Sequence, residues 1–97
     1  MGLLSRPQTG GLRGNRTVVN TCRVEFVIEP FSDGQPGAHV LAGISAIEAQ
    51  GLMVAMGPFG SVVEGPTEAV SDAISSMVKS AMADGANRVL VEVTTAP

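Results

Sequence analysis

Tryptophan and tyrosine are absent from this chain, and its 97 residues include only three phenylalanines. That shortage argues against nucleic-acid binders that stack bases on aromatic rings. A single cysteine, Cys22, excludes an intramolecular disulfide and any CxxC metal or redox site. No run approaches the roughly 20 apolar residues that a membrane-spanning helix needs. The first residues mix Arg and Gly without a continuous apolar stretch, so no secretory signal is expected and the cytoplasm is the expected compartment. Acids and bases are also unevenly placed. Residues 1–20 hold Arg6, Arg13 and Arg16 and no acid, whereas residues 21–97 carry nine acids against Arg23, Lys79 and Arg88, a balance of −6. An acidic domain repels phosphate backbones and tolerates cationic ligands, although charge excess also serves plain solubility. Neither nucleic acid nor membrane is an expected partner.

The length suits one domain. A chain this size buries only roughly two-thirds of its unfolded surface, so leftover apolar area invites a partner subunit. Residues 1–21 show no periodicity and alternate Gly with Arg, Ser, Gln and Pro; they read as a flexible tail preceding a domain over 22–97. Val24, Phe26 and Ile28 alternate with Glu25, Val27 and Glu29, the period-two pattern of a strand with two unlike faces. Pro30 ends it, and Pro36 suits the first position of a helix whose stripe is Val40, Ile44 and Ile47, closed at Gly51. Leu52 to Met56 and Ser61 to Glu64 read as short strands joined by Gly57-Pro58-Phe59-Gly60. Val70, Ile74, Met77, Val78 and Ala81 then mark a second helix, with Glu68 in its first turn and Gly85 at its end. Val89, Val91 and Val93 alternate with Leu90, Glu92 and Thr94 in a last strand.

The order strand, helix, strand, strand, helix, strand is a twice-repeated split β-α-β unit. It predicts an α+β, ferredoxin-like sandwich: a four-stranded antiparallel sheet with both helices on one face. The uncovered face should be polar, yet Val27, Leu90 and one side of Leu52–Met56 must point there beside Glu25, Glu29, Glu64 and Glu92. A half-apolar, half-acidic face predicts sheet-to-sheet burial in a homodimer or homotetramer; the blander reading is scattered exposed apolar residues.

Chemistry for catalysis is thin. Cys22 and His39 are the only candidates for a Cys–His pair, and both read better as a small buried residue and a surface residue of a first helical turn. One His, one Cys and scattered acids make no zinc-site spacing, and a GxxxxGKS phosphate loop is absent. No cofactor, no metal and no enzymatic activity are expected. Among ferredoxin-like classes, an RNA-recognition domain would need aromatics on its central strands, an acylphosphatase its loop Arg and Asn, and a metal chaperone two close cysteines. What remains lies at strand ends: Glu29, Phe31, Ser32 and Asp33 after the first strand, and Phe59, Ser61 and Glu64 around the third. These side chains offer an aromatic surface, hydroxyls and carboxylates to a flat heteroaromatic ligand, an aminopyrimidine or a cation. Core phenylalanines and solvated acids are the plainer account of the same residues.

The runs Val24-Glu25-Phe26-Val27-Ile28-Glu29-Pro30-Phe31, Gly57-Pro58-Phe59-Gly60-Ser61-Val62-Val63-Glu64-Gly65 and Ala83-Asp84-Gly85-Ala86-Asn87-Arg88-Val89 resemble the YkoF-like thiamine-binding proteins. The likeness spans roughly residues 22–95 and is sharpest at the glycine-rich turn and the strand ending Val-Glu-Gly. It implies a ferredoxin-like fold, sheet-to-sheet dimers that pair into tetramers, and non-enzymatic binding of thiamine or its hydroxymethylpyrimidine moiety in transport, salvage or sensing. Glu29, Phe31, Ser32, Phe59, Ser61 and Glu64 fall in the matching motifs and are the candidate ligand contacts. The alternative is an oligomeric regulatory or assembly module with no small-molecule ligand. The Arg-rich N-terminal segment departs from the single-domain pattern.

Overall fold

A computed structural model describes residues 20–31, 34–58 and 60–96 of the chain. Six elements follow in the expected order: β1 (Thr21–Glu29), α1 (Ala38–Glu48), β2 (Val54–Met56), β3 (Ser61–Pro66), α2 (Thr67–Ala83) and β4 (Arg88–Thr95). They form one sheet of order β2-β3-β1-β4, with every neighbouring pair antiparallel. β1 and β3 are therefore central, and each β-α-β unit straddles one strand of the other, as the ferredoxin-like α+β fold requires. The flexible-tail reading of residues 1–21 falls, for 1–19, outside the described residues. Thr21 already belongs to β1: its Oγ1 donates to the carbonyl of Ala96 at 3.0 Å.

Alternation along β1 decides the two faces. Cys22, Val24, Phe26 and Ile28 are buried, and they meet Val63 of β3, Val40, Ile44 and Ile47 of α1, and Val70, Ala73, Met77 and Ala81 of α2 in one core. Phe26, Ile47 and Met77 are the largest fully enclosed side chains. The second-helix stripe is rotated slightly from the sequence reading. Ala73 is fully buried, whereas Ile74 and Val78 only pack against the core from its edge. Small residues win that line because the helices come close there. A Cβ at Gly43 of α1 would lie 2.6 Å from Ile28 Cδ1 and 3.2 Å from Met77 Cγ.

Helix boundaries follow local chemistry. Gly37, in extended conformation, is the N-cap of α1, and its carbonyl accepts from the amides of Val40 and Leu41, each at 3.1 Å. Pro36 therefore stands ahead of the helix rather than at its first position: the extended Gly37 separates it from Ala38. α2 ends in a turn where Ala86 N–H donates to Ala81 O at 2.9 Å and Gly85 N–H to Met82 O at 3.4 Å. Gly85 has φ +110°, the left-handed geometry that this C-terminal motif demands. β2 is shorter than the Leu52–Met56 reading, because Leu52 and Met53 precede its pairing with β3.

The Gly43 crossing gives a stability test. Alanine is the better helix former by about 1 kcal/mol, but forcing a methyl into a filled core costs about 1–3 kcal/mol. Gly43→Ala should therefore lower the denaturation midpoint in the wild-type background. With Ile28→Val, which removes Cδ1, the same change should become neutral or stabilising. A double-mutant cycle by chemical denaturation reads this coupling; strict additivity would show that the crossing is not limited by Ile28.

Candidate functional site

Both helices lie on one side of the sheet, so the odd-numbered side chains of β1 stand on the other. Strand register then fixes their neighbours. Arg23 is paired across to Glu64 on β3 and Thr94 on β4, and Glu25 to Val62 on β3 and Glu92 on β4. Val27 stands opposite Leu90, and Glu29 opposite Arg88. The open face thus reads, along β1, as a charged row, a row with two carboxylates side by side, an apolar step, and an ion pair.

These rows line an open trough of about 660 Å³, bordered by Arg23, Glu25, Val27, Leu90 and Glu92 and by Pro58 of the β2–β3 connection. That connection, closed by a 2.7 Å bond from Gly57 N–H to Gly60 O, lies directly on β1. A Cβ at Gly60 would meet Phe26 O at 3.1 Å and Val27 Cγ2 at 3.2 Å, so glycine is what lets the turn form the wall of the trough.

Electrostatically the trough is dominated by carboxylates. Glu25 and Glu92 are directly opposite on an antiparallel pair, where like charges are destabilising. Arg23 offsets part of this repulsion. Its guanidinium bonds to Glu25, and its Nε lies 3.4 Å from Glu64 Oε2. The bond to Glu25, with the charges of Glu25, Glu64 and Glu92, raises the Arg23 pKa, although partial desolvation opposes the shift. One cation among three carboxylates leaves the local balance negative. Such a surface accepts a further cation or several hydrogen-bond donors.

The six residues singled out from sequence are not one cluster. Glu29 is on the open face but at its far end, held by Arg88 Nη1 at 3.3 Å. Glu64 is at the other end beside Arg23, six residues away along β1, or roughly 20 Å. A compact ligand cannot touch both within one protomer. Phe31 is 52% exposed, and it lies beyond β1 in a separate cleft of about 310 Å³ with Val40, Met56 and Pro58. Ser61 is buried at the start of β3, on the wall between the trough and the space behind it. Ser32 and Phe59 lie outside the described residues.

Arg23, the residue that organises the trough, had no role in the sequence reading. Period two placed it on the face of Glu25, but its contact with Glu64 depends on the β1–β3 register. The Cys–His pair does not assemble. Cys22 is buried at the start of β1, whereas His39 Nε2 lies 2.6 Å from Pro30 O beyond its end, roughly 25 Å along the strand. Among the described residues, no group of three or more His, Cys, Asp or Glu could hold a metal ion, and no helix is long and apolar enough to cross a membrane.

Known proteins with this architecture fit the geometry. A domain of unknown function (DUF77) from Bacillus cereus superposes with a TM-score of 0.61 at 15% identity, covering 81% of this chain and 77% of that one. A candidate thiamine biosynthesis/salvage protein from Thermotoga maritima gives 0.57 at 20% identity, covering 77% and 81%. A hypothetical protein from Methanocaldococcus jannascii gives 0.58 at 20%, covering 79% of each chain. At such identities these structures show a shared fold. No curated protein matches the chain. The family model described as thiamine-binding protein matches residues 24–95, from the second buried residue of β1 to the last residue of β4, and the chain belongs to that family.

Proposed function

We propose that the chain is a non-enzymatic cytoplasmic binding protein for thiamine or its hydroxymethylpyrimidine moiety, acting in thiamine transport, salvage or sensing. The observation that carries this reading is the trough floor, where Glu25 and Glu92 face each other next to the apolar step Val27–Leu90. Thiamine joins a permanently cationic thiazolium ring to an aminopyrimidine. The cation relieves the Glu25–Glu92 repulsion, the amino group donates to a carboxylate, and the flat rings lie on Val27 and Leu90. A volume of about 660 Å³ is within the usual range for small-molecule sites. Ser61, Glu64 and Phe59, which stands in sequence between two trough-lining residues, join these contacts. Glu29, paired with Arg88 at the far end of the face, and Phe31, in the separate cleft, are not contacts of the same ligand molecule.

The trough is open to one side, and its rim is half apolar. A second copy laid sheet to sheet closes it and shelters Val27 and Leu90, giving a homodimer, or a homotetramer if dimers pair further.

Titration calorimetry tests the reading. Thiamine should bind, with affinity falling as salt rises. Glu25→Gln and Glu92→Gln should each weaken it by about tenfold, since a hydrogen bond to a charged group contributes about 1.5–3 kcal/mol and exposure discounts it. Absence of heat at millimolar thiamine and at millimolar hydroxymethylpyrimidine, with folded protein, would overturn the assignment. Arg23→Gln removes the resident cation and has two expected effects. Thiamine binding tightens severalfold, and the melting temperature drops at low salt but recovers at high salt. Unchanged melting at low salt would contradict the charge arrangement described.

A further inference from the structure

The two edges of the sheet are protected very differently. β2 is only three residues long and runs into Gly57-Pro58, which blunts it as a template for another strand. β4 has eight residues and no proline, and it carries apolar side chains on both faces. Its helix-side residues should be covered, because Val91 is paired with Phe26 and Val93 with Val24, both in the core register. They are not: Val91 is 40% and Val93 60% exposed. α2 packs over β1 and β3, and α1 over β1 and β2, so the helix layer stops short of β4. Leu90, on the opposite face, is 42% exposed.

Backbone groups on this edge are in the same position. Ala96 N–H donates to Thr21 O, and the pairing with β1 continues unbroken from Thr95 to Arg88. The alternation of an antiparallel ladder then turns Thr94, Glu92 and Leu90 toward β1, and Val93, Val91 and Val89 outward, with donors and acceptors that no other strand of the described residues pairs.

We infer that β4 pairs antiparallel with β4 of a second copy about a two-fold axis through Val91, joining two sheets edge to edge. The sequence of the strand selects this register. An axis through Glu92 would set two carboxylates face to face. An axis through Leu90 would leave Val93, the most exposed valine, opposite Asn87, outside the strand. An axis through Val91 pairs residues 88–94 of both copies. On the helix side Val91 meets Val91 of the second copy, and Val89 meets Val93 twice. On the open face Leu90 meets Glu92, and Arg88, which pairs with Glu29 in its own protomer, also comes within reach of the second copy's Glu92 on the diagonal. This edge contact is distinct from the sheet-to-sheet contact proposed above and does not depend on the ligand.

Cysteine cross-linking reads the register directly. The pair at position 91 would have Cα atoms about 5.5 Å apart, within the range that a disulfide spans. Positions 93 of the two copies would be four residues out of step, about 14 Å apart. Val91→Cys should therefore form a covalent dimer under mild oxidation, whereas Val93→Cys and the wild type, whose Cys22 is buried, should not. Val91→Lys should halve the mass measured by light scattering without ligand, while the circular dichroism spectrum stays that of the wild type. Cross-linking at 93 equal to that at 91, no cross-linking at either, or a Val91→Lys protein of unchanged mass would each overturn the edge pairing. None of these readouts involves thiamine, so a chain that failed to bind it would leave the test intact.

Discussion

Burial of Cys22, Val24, Phe26 and Ile28 under the helix pair is the constraint from which the rest of the molecule follows. Because side chains alternate along a strand, fixing those four inward fixes Arg23, Glu25, Val27 and Glu29 outward. β1 has a neighbour on each side, so its register also dictates which residues of β3 and β4 stand beside them. The charge pattern of the open face is thus set by packing on the opposite one. A slip of one residue would bury Arg23, Glu25 and Glu29 and dissolve core and trough together.

The same constraint explains why the domain is left incomplete. Two helices of 11 and 17 residues cover the central strands but not β4. A domain of this size has little stability to spare, and roughly 25 cal/mol per Å² is forgone wherever apolar surface stays wet. Val27 and Leu90 on one face, and Val91 and Val93 on the other, are therefore poorly served by the monomer. The two proposed contacts, sheet to sheet and edge to edge, address different members of this set, and together they describe a tetramer in which two sheet-to-sheet dimers pair through β4.

Much of this was legible in the sequence. Period two in β1 and β4 and the apolar stripes of both helices gave element order, fold and the helix-facing register of Phe26. The half-apolar, acidic character of the open face was legible too, from residues such as Val27 and Glu92 that had no place in the core. What failed to transmit was anything set by register between distant strands. Glu29 and Glu64 look like partners as strand-end acids, but antiparallel pairing of β1 with β3 puts them at opposite ends. Arg23 reads as a lone surface cation until Glu64 is placed beside it. The exposure of Val91 and Val93 was invisible for a different reason: alternation assigns a face, but it does not say how far the helix layer reaches.

The central claim is that a thiamine-like cation occupies the open face of the sheet, and amide chemical shifts during a thiamine titration test it most directly. Shifts should concentrate at Arg23, Glu25, Val27, Leu90 and Glu92 and at the Gly57–Gly60 turn, with α1 and α2 unmoved. Shifts confined to the helix layer or to the cleft beside Phe31, or none at millimolar thiamine, would contradict it.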